Sequence, residues 1–136
     1  MFESHVKGEL AQLEFQKRAL EKGIIVSRPT TESRYDYIID DKGELLRAQI
    51  KYAGSTTSNS NGSVLVRLEK ECRSNGKRRC YSSDEVDVLF VFIPQINKIC
   101  RFDTIFFVDK STLTIRIETA KNRQTKNVYL AQDFIW

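Results

Sequence analysis

One stretch of the sequence constrains the fold more than any other, the near-continuous apolar run VDVLFVFIP at residues 86–94. It has the length of a β-strand, and so continuous an apolar run predicts a strand buried in the middle of a sheet. The chain has 136 residues, which suffices for one core, so we expect a single domain over residues 1–136. Hydrophobic residues make up 40% and charged residues 29% of the chain, which is typical of a globular protein and excludes a disordered one.

The sequence gives no sign of a membrane-spanning or secreted protein. It contains no run of about 18 apolar residues, and its start, MFESHVKGEL, lacks the apolar segment of a secretory signal. We therefore expect a protein of a bacterial cytoplasm or an organelle interior, with no membrane partner.

The rest of the pattern predicts a helix followed by many strands, which indicates an α/β or α+β fold. The helix is expected to start at a capping residue, Ser4, and to stop at Gly23. One stripe of the helix follows a spacing of three or four and is apolar except at Lys17: Val6, Leu10, Leu13, Lys17, Leu20 and Ile24, with Ala11 and Phe15 alongside. Besides the central run, strands are expected at 24–27, 34–39, 44–52, 64–68, 99–102, 104–108 and 113–117, and a short helix at 131–136.

The turn signal DDKG joins the second and third of these strands into an antiparallel hairpin. Because side chains alternate along a strand, Gln49 and Lys51 share one face of the third strand. Either register of the hairpin brings Asp36 to that face, opposite Arg47 or Gln49, whereas Tyr35 is expected on the other face. An acid, an amide oxygen and an ammonium group then converge.

These residue types fit the hydrolysis of a phosphodiester. A divalent cation beside the scissile phosphate needs oxygen ligands, which Asp36 and Gln49 would supply. Lys51 would orient or help to deprotonate the attacking water and offset the charge that builds up on the phosphate. Glu9, at the edge of the apolar stripe of the helix, would be available as a further carboxylate. The same residues are also those of an ordinary solvent-exposed hairpin face, so the spacing alone leaves both interpretations open.

Positive charge is concentrated in two segments of a chain whose net charge is +4. Residues 67–80 contain six basic and two acidic residues, and residues 110–126 contain five basic and one acidic. Such a skew indicates a polyanionic partner such as nucleic acid, although two solvated basic loops would look the same. Residues 54–63, GSTTSNSNGS, predict a flexible loop, which is either a linker or a loop that faces DNA.

The ordered motifs resemble those of the PD-(D/E)XK nuclease superfamily. Asp36 followed by Gln49-Ile50-Lys51 matches the acid and the (D/E)-X-K of that family, on a hairpin after a first helix. The strings KGELAQLEFQKRALEKGIIV, YDYIID, RAQIKYA, YSSDEVDVLFVFIP and RIETAKNRQTKNV look like the branch of group I intron-encoded homing endonucleases, over most of the chain. The first helix and hairpin are also similar to archaeal Holliday junction resolvases. The chain departs from the pattern at Tyr35, where proline is usual, and at Gln49, where the second acid is usual.

The resemblance implies a restriction-endonuclease-like core with a mixed sheet, the N-terminal helix and extra C-terminal strands. It implies an enzyme that cuts double-stranded DNA at a long, partly symmetric site with Mg²⁺ or Mn²⁺. It assigns catalysis to Glu9, Asp36, Gln49 and Lys51, and metal binding to Asp36, Gln49 and Glu9. In the resolvases the helix acid aligns better with Gln12, which leaves the choice between Glu9 and Gln12 open. One site per chain implies at least a dimer, and a long target makes a tetramer plausible.

On this reading residues 1–53 form the helix and catalytic hairpin, 54–85 contact DNA, and 86–136 form the central strand, the C-terminal strands and an interface. Arginine can read guanine, lysine holds phosphate, and small polar side chains reach either phosphates or bases. The candidate DNA contacts are Ser55, Thr56, Thr57, Ser58, Asn59, Ser60, Asn61, Arg67, Arg73, Lys77, Arg78, Arg79, Lys121, Arg123, Gln124 and Lys126.

Other functions remain open from the sequence. A junction resolvase or a restriction-like nuclease would use the same core. A DNA-binding module without catalysis is suggested by the neutral Gln49. An assembly protein with incidental basic loops would have the same composition.

Overall fold

The structure of the chain is a computed structural model that describes residues 3–54, 56–57, 60–71, 78–118 and 129–136, with the backbone alone described at 56–57, 60–61, 70–71 and 78. Within these residues, no helix has both the length and the apolar character that a membrane span requires.

The chain begins with helix α1, Ser4–Glu21, which ends at Gly23 (φ 73°) as expected. The amide of Ile24 donates to the carbonyl of Ala19 (2.9 Å), the bond that closes a glycine-terminated helix. The predicted cap was wrong: Ser4 is already helical, and Glu3 is the N-cap, with no side-chain cap bond. The predicted buried stripe was also wrong in part, because Leu13 and Leu20 are 56% and 77% exposed.

The buried face of α1 consists instead of Ala11, Phe15 and Ala19, at a spacing of four residues. The two alanines let the helix lie close to the sheet, and Phe15 fills the space between them. Phe15 packs against Tyr37 and Phe90, with ring centroids 5.2 and 4.9 Å apart, respectively.

A five-stranded sheet follows in the described part of the chain, in the order β1-β2-β3-β8-β9. Its strands are β1 Ile25–Ser27, β2 Tyr37–Asp41, β3 Glu44–Tyr52, β8 Val88–Ile93 and β9 Lys98–Asp103. Strand β8 is buried along its whole length and lies between β3, to which it is parallel, and the antiparallel β9. The predicted central strand is confirmed.

The remaining described strands are β4 Thr56–Thr57, β5 Ser60–Arg67, β6 Glu69–Glu71, β7 Arg78–Cys80, β10 Thr112–Arg116 and β11 Tyr129–Leu130. They form a second sheet, β11-β10-β5-β4, and a ribbon, β6-β7. The structure places 56–57 and 60–63 in strands, so a loop over the whole of 54–63 was wrong, because their backbones pair with each other and with β10.

Two further sequence predictions were wrong. Residues 104–108, predicted as a strand, contain the one-turn helix α2, Thr104–Phe107, which buries Phe107 and leaves Ile105 exposed. This single helical turn buries one of its four side chains, whereas in a strand buried and exposed side chains would alternate. The helix predicted at 131–136 is a 3₁₀ turn over Ala131–Asp133, after which Ile135 bridges to Cys100.

The first sheet separates two cores. On one face α1 covers residues that include Tyr37, Ala48, Ile50 and Phe90. On the other face the second sheet packs over Leu89, Val91 and Ile93, alternate residues of β8. Both faces of β8 are therefore dry, which explains why its sequence is apolar without alternation.

Candidate active site

The site forms where the hairpin of β2 and β3 opens. The turn after Asp41 has Lys42 at φ 56° and Gly43 at φ 87°, the pair of positive angles that a tight hairpin turn requires. This turn fixes the register, in which Tyr37 faces Ala48. Asp36, one residue before β2, is held by its own amide, which donates to the carbonyl of Ala48 (2.8 Å).

The carboxylate of Asp36 is tied directly to β3. Its Oδ2 accepts hydrogen bonds from Nε2 of Gln49 (2.9 Å) and from the amide of Ile50 (3.0 Å). The structure thus brings Asp36 to Gln49, one of the two pairings that the alternation allowed. The predicted orientation of Tyr35 was wrong, because its side chain packs in the core on the Gln49 side of the sheet. Strand β2 begins at Tyr37, so strand alternation does not extend back to Tyr35.

Gln49 is the unusual member of this pair, since its side chain is only 6% exposed. Its Nε2 donates to Asp36, but its Oε1 is buried and has no hydrogen-bond partner among the described residues. Leaving a buried carbonyl oxygen unpaired costs about 1–3 kcal/mol. Such an atom calls for a specific explanation, and a bound ion is one that fits an amide oxygen whose side chain is hydrogen-bonded to a carboxylate.

Lys51 follows Gln49 by two residues and therefore shares its face of β3. Its Nζ lies over the ring of Tyr81, 5.3 Å from the centroid. Three of the four predicted catalytic residues, Asp36, Gln49 and Lys51, thus lie together on the face opposite α1.

Glu9 is placed differently. It is an exposed residue of α1, and α1 packs on the face of the sheet that carries Tyr37. Gln12, the alternative, accepts a hydrogen bond from the hydroxyl of Tyr37 (3.2 Å) and so is engaged on that face. A role for Glu9 in the site stays a prediction.

The side-chain oxygen atoms of Asp36 and Gln49 are metal ligands of the kind that a hard cation prefers. The described residues contain no group of three or more His, Cys, Asp and Glu side chains that could hold a metal. They do place the carboxylate of Asp36 beside the amide of Gln49, whose oxygen lacks a partner. Mg²⁺ takes oxygen ligands and is commonly bound by one or two carboxylates together with substrate phosphates. The pair fits that ion, and the low negative charge of the set makes a phosphate the natural further ligand.

The segment between β7 and β8 supports the site and was not identified from the sequence. Its Tyr81 is fully buried, and both the Nζ of Lys51 and the Cζ of Arg34 lie over its ring, Cζ at 4.5 Å from the centroid. Glu85 lies 3.3 Å from the Nε of Arg34 and accepts a hydrogen bond from Arg79 (2.9 Å).

Ion pairs of Glu85 with Arg34 and Arg79 hold the segment between β7 and β8 in place. Burial acts to raise the pKa of Glu85, but the hydrogen bond from Ser82 and the charges of Arg34 and Arg79 outweigh it, so the pKa lies below its ordinary value. Glu85 is therefore a carboxylate at neutral pH and can bind both arginines.

A second ion pair joins the same segment to β3. Arg47 of β3 donates to Asp87 through Nε and Nη2, each at 2.9 Å, and through its backbone amide at 2.8 Å. It also donates to the carbonyls of Ser83 and Asp84. The hydrogen bonds and charge of Arg47 lower the pKa of Asp87. The sequence carried no signal for this contact, because forty residues separate the two partners.

The predicted DNA contacts are only partly described. Arg67 is exposed at the end of β5, and Arg79 is exposed in β7, where it pairs with Glu85. The backbones of Thr56, Thr57, Ser60, Asn61 and Arg78 lie in strands. The candidates outside the described residues are Ser55, Ser58, Asn59, Arg73, Lys77, Lys121, Arg123, Gln124 and Lys126. All of these contacts stay predictions.

Comparison with known proteins agrees with this architecture. The family model for PD-(D/E)XK endonucleases matches residues 2–136. The solved structure of a bacterial homing endonuclease, I-Ssp6803I, aligns with a TM-score of 0.75 and 22% sequence identity, over 98% of this chain and 89% of that one. A comparison with curated protein sequences finds no match. The predicted α+β fold, with its N-terminal helix and mixed sheets, is confirmed.

Proposed function

Because this chain belongs to the PD-(D/E)XK endonuclease family, we propose that it hydrolyses phosphodiester bonds of double-stranded DNA as a homing-type endonuclease that depends on Mg²⁺ or Mn²⁺. The observation that carries the proposal is the buried Oε1 of Gln49, without a partner among the described residues, in a side chain whose Nε2 donates to the carboxylate of Asp36. A metal ion bound at this oxygen would offset the cost of burying it.

Each residue of the site has a distinct part in this reaction. The metal, when bound, supplies a Lewis acid that polarises the phosphate. Asp36 and Gln49 would hold it through oxygen atoms, and the hydrogen bond between them fixes both side chains before substrate arrives. Lys51 would orient the attacking water or take part in its deprotonation, and its charge offsets the charge that develops on the phosphate.

The target is proposed to be long and partly symmetric. The basic residues of 67–80 and 110–126 would contact it, with phosphates contributing most of the affinity. One chain provides one such hairpin site, so cutting both strands requires at least a dimer, whose two-fold axis would match that of the duplex. A tetramer would cover a longer site. The likeness to I-Ssp6803I, a bacterial homing endonuclease, supports this type of target.

A catalytically silent DNA-binding protein is the second candidate, and one observation favours it. The position that carries the second acid in the family motif is Gln49, so Asp36 is the carboxylate that remains of the motif's two acids. A neutral ligand binds a divalent cation less tightly than a carboxylate does.

One incubation separates these functions. The protein is mixed with randomised linear duplexes and Mg²⁺, with a chelator in a parallel tube, and both bound and cut molecules are sequenced. We expect cut ends that share a long, partly symmetric site, lost with chelator and with Asp36→Asn but kept with Asp103→Asn, an exposed aspartate at the end of β9.

Other outcomes identify the alternatives. Enriched bound sequences without cut ends would establish the silent DNA-binding protein. Cleavage of a four-way junction but of no linear duplex would establish a resolvase. A failure to bind duplex at low salt would reject DNA as the partner, because phosphate contacts are strongest there.

A further inference from the structure

Tyr81 contacts Lys51 but belongs neither to the hairpin nor to the motif formed by Asp36 and Gln49-Ile50-Lys51. It follows β7 directly and has no solvent exposure. Its ring packs in the core between the two sheets, on the same side of the first sheet as Gln49 and Lys51. A tyrosine in this position has two parts that can act, its aromatic face and its hydroxyl.

The aromatic face of Tyr81 contacts two cationic side chains. The Nζ of Lys51 lies 5.3 Å from the ring centroid, and the Cζ of Arg34 lies 4.5 Å from it. Both distances fall within the range of cation–π attraction, which is stronger where the groups are shielded from water. Two cations from different elements thus meet over one buried ring.

The backbone that carries the ring is held on both sides of Tyr81. Nη2 of Arg34 donates to the carbonyls of Arg79 (2.9 Å) and Cys80 (3.0 Å), the two residues that precede Tyr81. The carbonyl of Tyr81 accepts a hydrogen bond from the amide of Asp109 (3.0 Å). Glu85 neutralises Arg34 from a distance of 3.3 Å. The backbone at Tyr81 is therefore fixed, and the complete burial of the residue leaves its ring little room to move.

The hydroxyl, in contrast, makes no hydrogen bond with the described residues and is buried. Burial raises the pKa of Tyr81 well above its ordinary value, against the charge of Arg34 and with the help of Asp36 and Glu85, so the phenol stays neutral. The ring acts on Lys51 as an uncharged aromatic face, a role that phenylalanine can also fill.

We propose that Tyr81 is a positioning residue for Lys51, whose ammonium its ring holds in the orientation that cleavage requires, while Arg34 fixes the ring. The inference rests on the proposed nuclease function. A lysine side chain has many rotamers, and fixing one of them before the reaction saves entropy at the rate-limiting step. Tyr81 touches neither substrate nor metal in this account and acts through Lys51.

The test compares Tyr81→Phe, Tyr81→Leu and Tyr129→Leu. Tyr129 is a matched control, because Lys110 lies over its ring at 5.6 Å and it packs in the same core, on a strand that holds none of the site residues. Single-turnover cleavage of a duplex recovered from the randomised pool is measured at saturating protein. We expect Tyr81→Leu to slow cleavage about tenfold or more, with DNA affinity within a few-fold of wild type, and Tyr81→Phe and Tyr129→Leu to cut as wild type does.

A second readout does not depend on cleavage. In protein labelled with ¹³C-lysine, without DNA or metal, the methylene signals next to Nζ of Lys51 should be shifted upfield by the ring, with Lys51→Arg identifying them. Tyr81→Leu should remove this shift, and Tyr81→Phe should keep it. A folded Tyr81→Leu variant that cuts at the wild-type rate, or Lys51 signals that Tyr81→Leu leaves unchanged, would overturn the positioning role. Wild-type protein that cuts no DNA would instead overturn the nuclease function itself.

Discussion

Each face of the five-stranded sheet buries a tyrosine under an arginine, but the two hydroxyls have opposite surroundings. On the helix face, the hydroxyl of Tyr37 accepts from Gln16 (2.5 Å) and Arg28 (2.7 Å) and donates to Gln12 (3.2 Å). On the site face, the hydroxyl of Tyr81 has no hydrogen-bond partner among the described residues.

The same contrast holds for the other polar groups nearby. The site face also buries the Oε1 of Gln49, which has no hydrogen-bond partner among the described residues. Tyr37 belongs to the same β2–β3 hairpin, yet its hydroxyl has three hydrogen-bond partners. Folding alone favours pairing every buried polar group. The helix face follows that rule and stabilises the fold, whereas the site face departs from it where a substrate and a metal are proposed to bind. Four predictions test this comparison.

The largest effect is expected for Lys51→Ala, which should abolish cleavage and leave DNA binding within a few-fold of wild type. In the proposed mechanism its ammonium acts on the reacting water and phosphate, and other basic residues would still contribute to binding. Cleavage and binding of the same duplex are measured. Lys98→Ala, which removes an exposed lysine of β9, is the control and should change neither. Normal cutting by Lys51→Ala would remove the lysine from the active site.

Gln49→Glu should keep cleavage but change the stability of the metal-free protein. A second carboxylate would lie buried beside Asp36, and the repulsion should lower the free energy of unfolding by about 2 kcal/mol or more at neutral pH. Mg²⁺ should restore part of that loss. Urea unfolding with and without Mg²⁺ measures both effects. Gln132→Glu, at an exposed position, serves as control. An unchanged stability together with unchanged metal response would place Gln49 outside the metal site.

The two tyrosines should respond in opposite ways to loss of their hydroxyls. Tyr37→Phe leaves Gln12, Gln16 and Arg28 without a buried partner and should lower the free energy of unfolding by about 2 kcal/mol. Tyr81→Phe removes an unpaired buried hydroxyl and should leave the free energy unchanged or raise it. Urea denaturation of the two variants gives the comparison directly. Equal losses would mean that the two faces are alike.

The smallest effect is expected for Asp87, whose ion pair with Arg47 joins the segment between β7 and β8 to β3. Its pKa is lower in the folded protein than its ordinary value of 3.8. The ion pair therefore stabilises the fold above that pH and is lost as the pH falls through the folded value. The pair is partly exposed, so the contribution should be below about 1 kcal/mol. Asp87→Asn should cost stability at neutral pH, and the difference from wild type should vanish in strong acid, as measured by urea unfolding. A difference that persists or grows in acid would contradict this.

The sequence was most informative where structure is local. The turn DDKG and the alternation after it were enough to predict the hairpin and to bring Asp36 to the face of Gln49 and Lys51, opposite either Arg47 or Gln49. The structure selects Gln49. The apolar run at 86–94 predicted a buried strand for the same kind of reason. The resemblance to the nuclease family then gave these residues their chemistry.

The sequence was least informative where distant segments meet. Tyr81 comes thirty residues after Lys51 in the chain, and no periodicity connects the two. Strands within 54–63 were missed because their polar sequence has no apolar alternation, and their pairing depends on β10, far along the chain. The helix face was misplaced for a related reason: α1 buries its alanines, which fit close to the sheet, and exposes Leu20.

The measurement that tests the metal site most directly is paramagnetic broadening by Mn²⁺ of the backbone amide signals of the free protein. Substoichiometric Mn²⁺ should first broaden the signals of Asp36, Gln49 and Ile50, which surround the carboxylate of Asp36. Asp36→Asn should abolish this broadening. Broadening that begins elsewhere, such as at Asp40 and Asp41 at the end of β2, and that is unaffected by Asp36→Asn would contradict the assignment of Asp36 and Gln49 as the metal site.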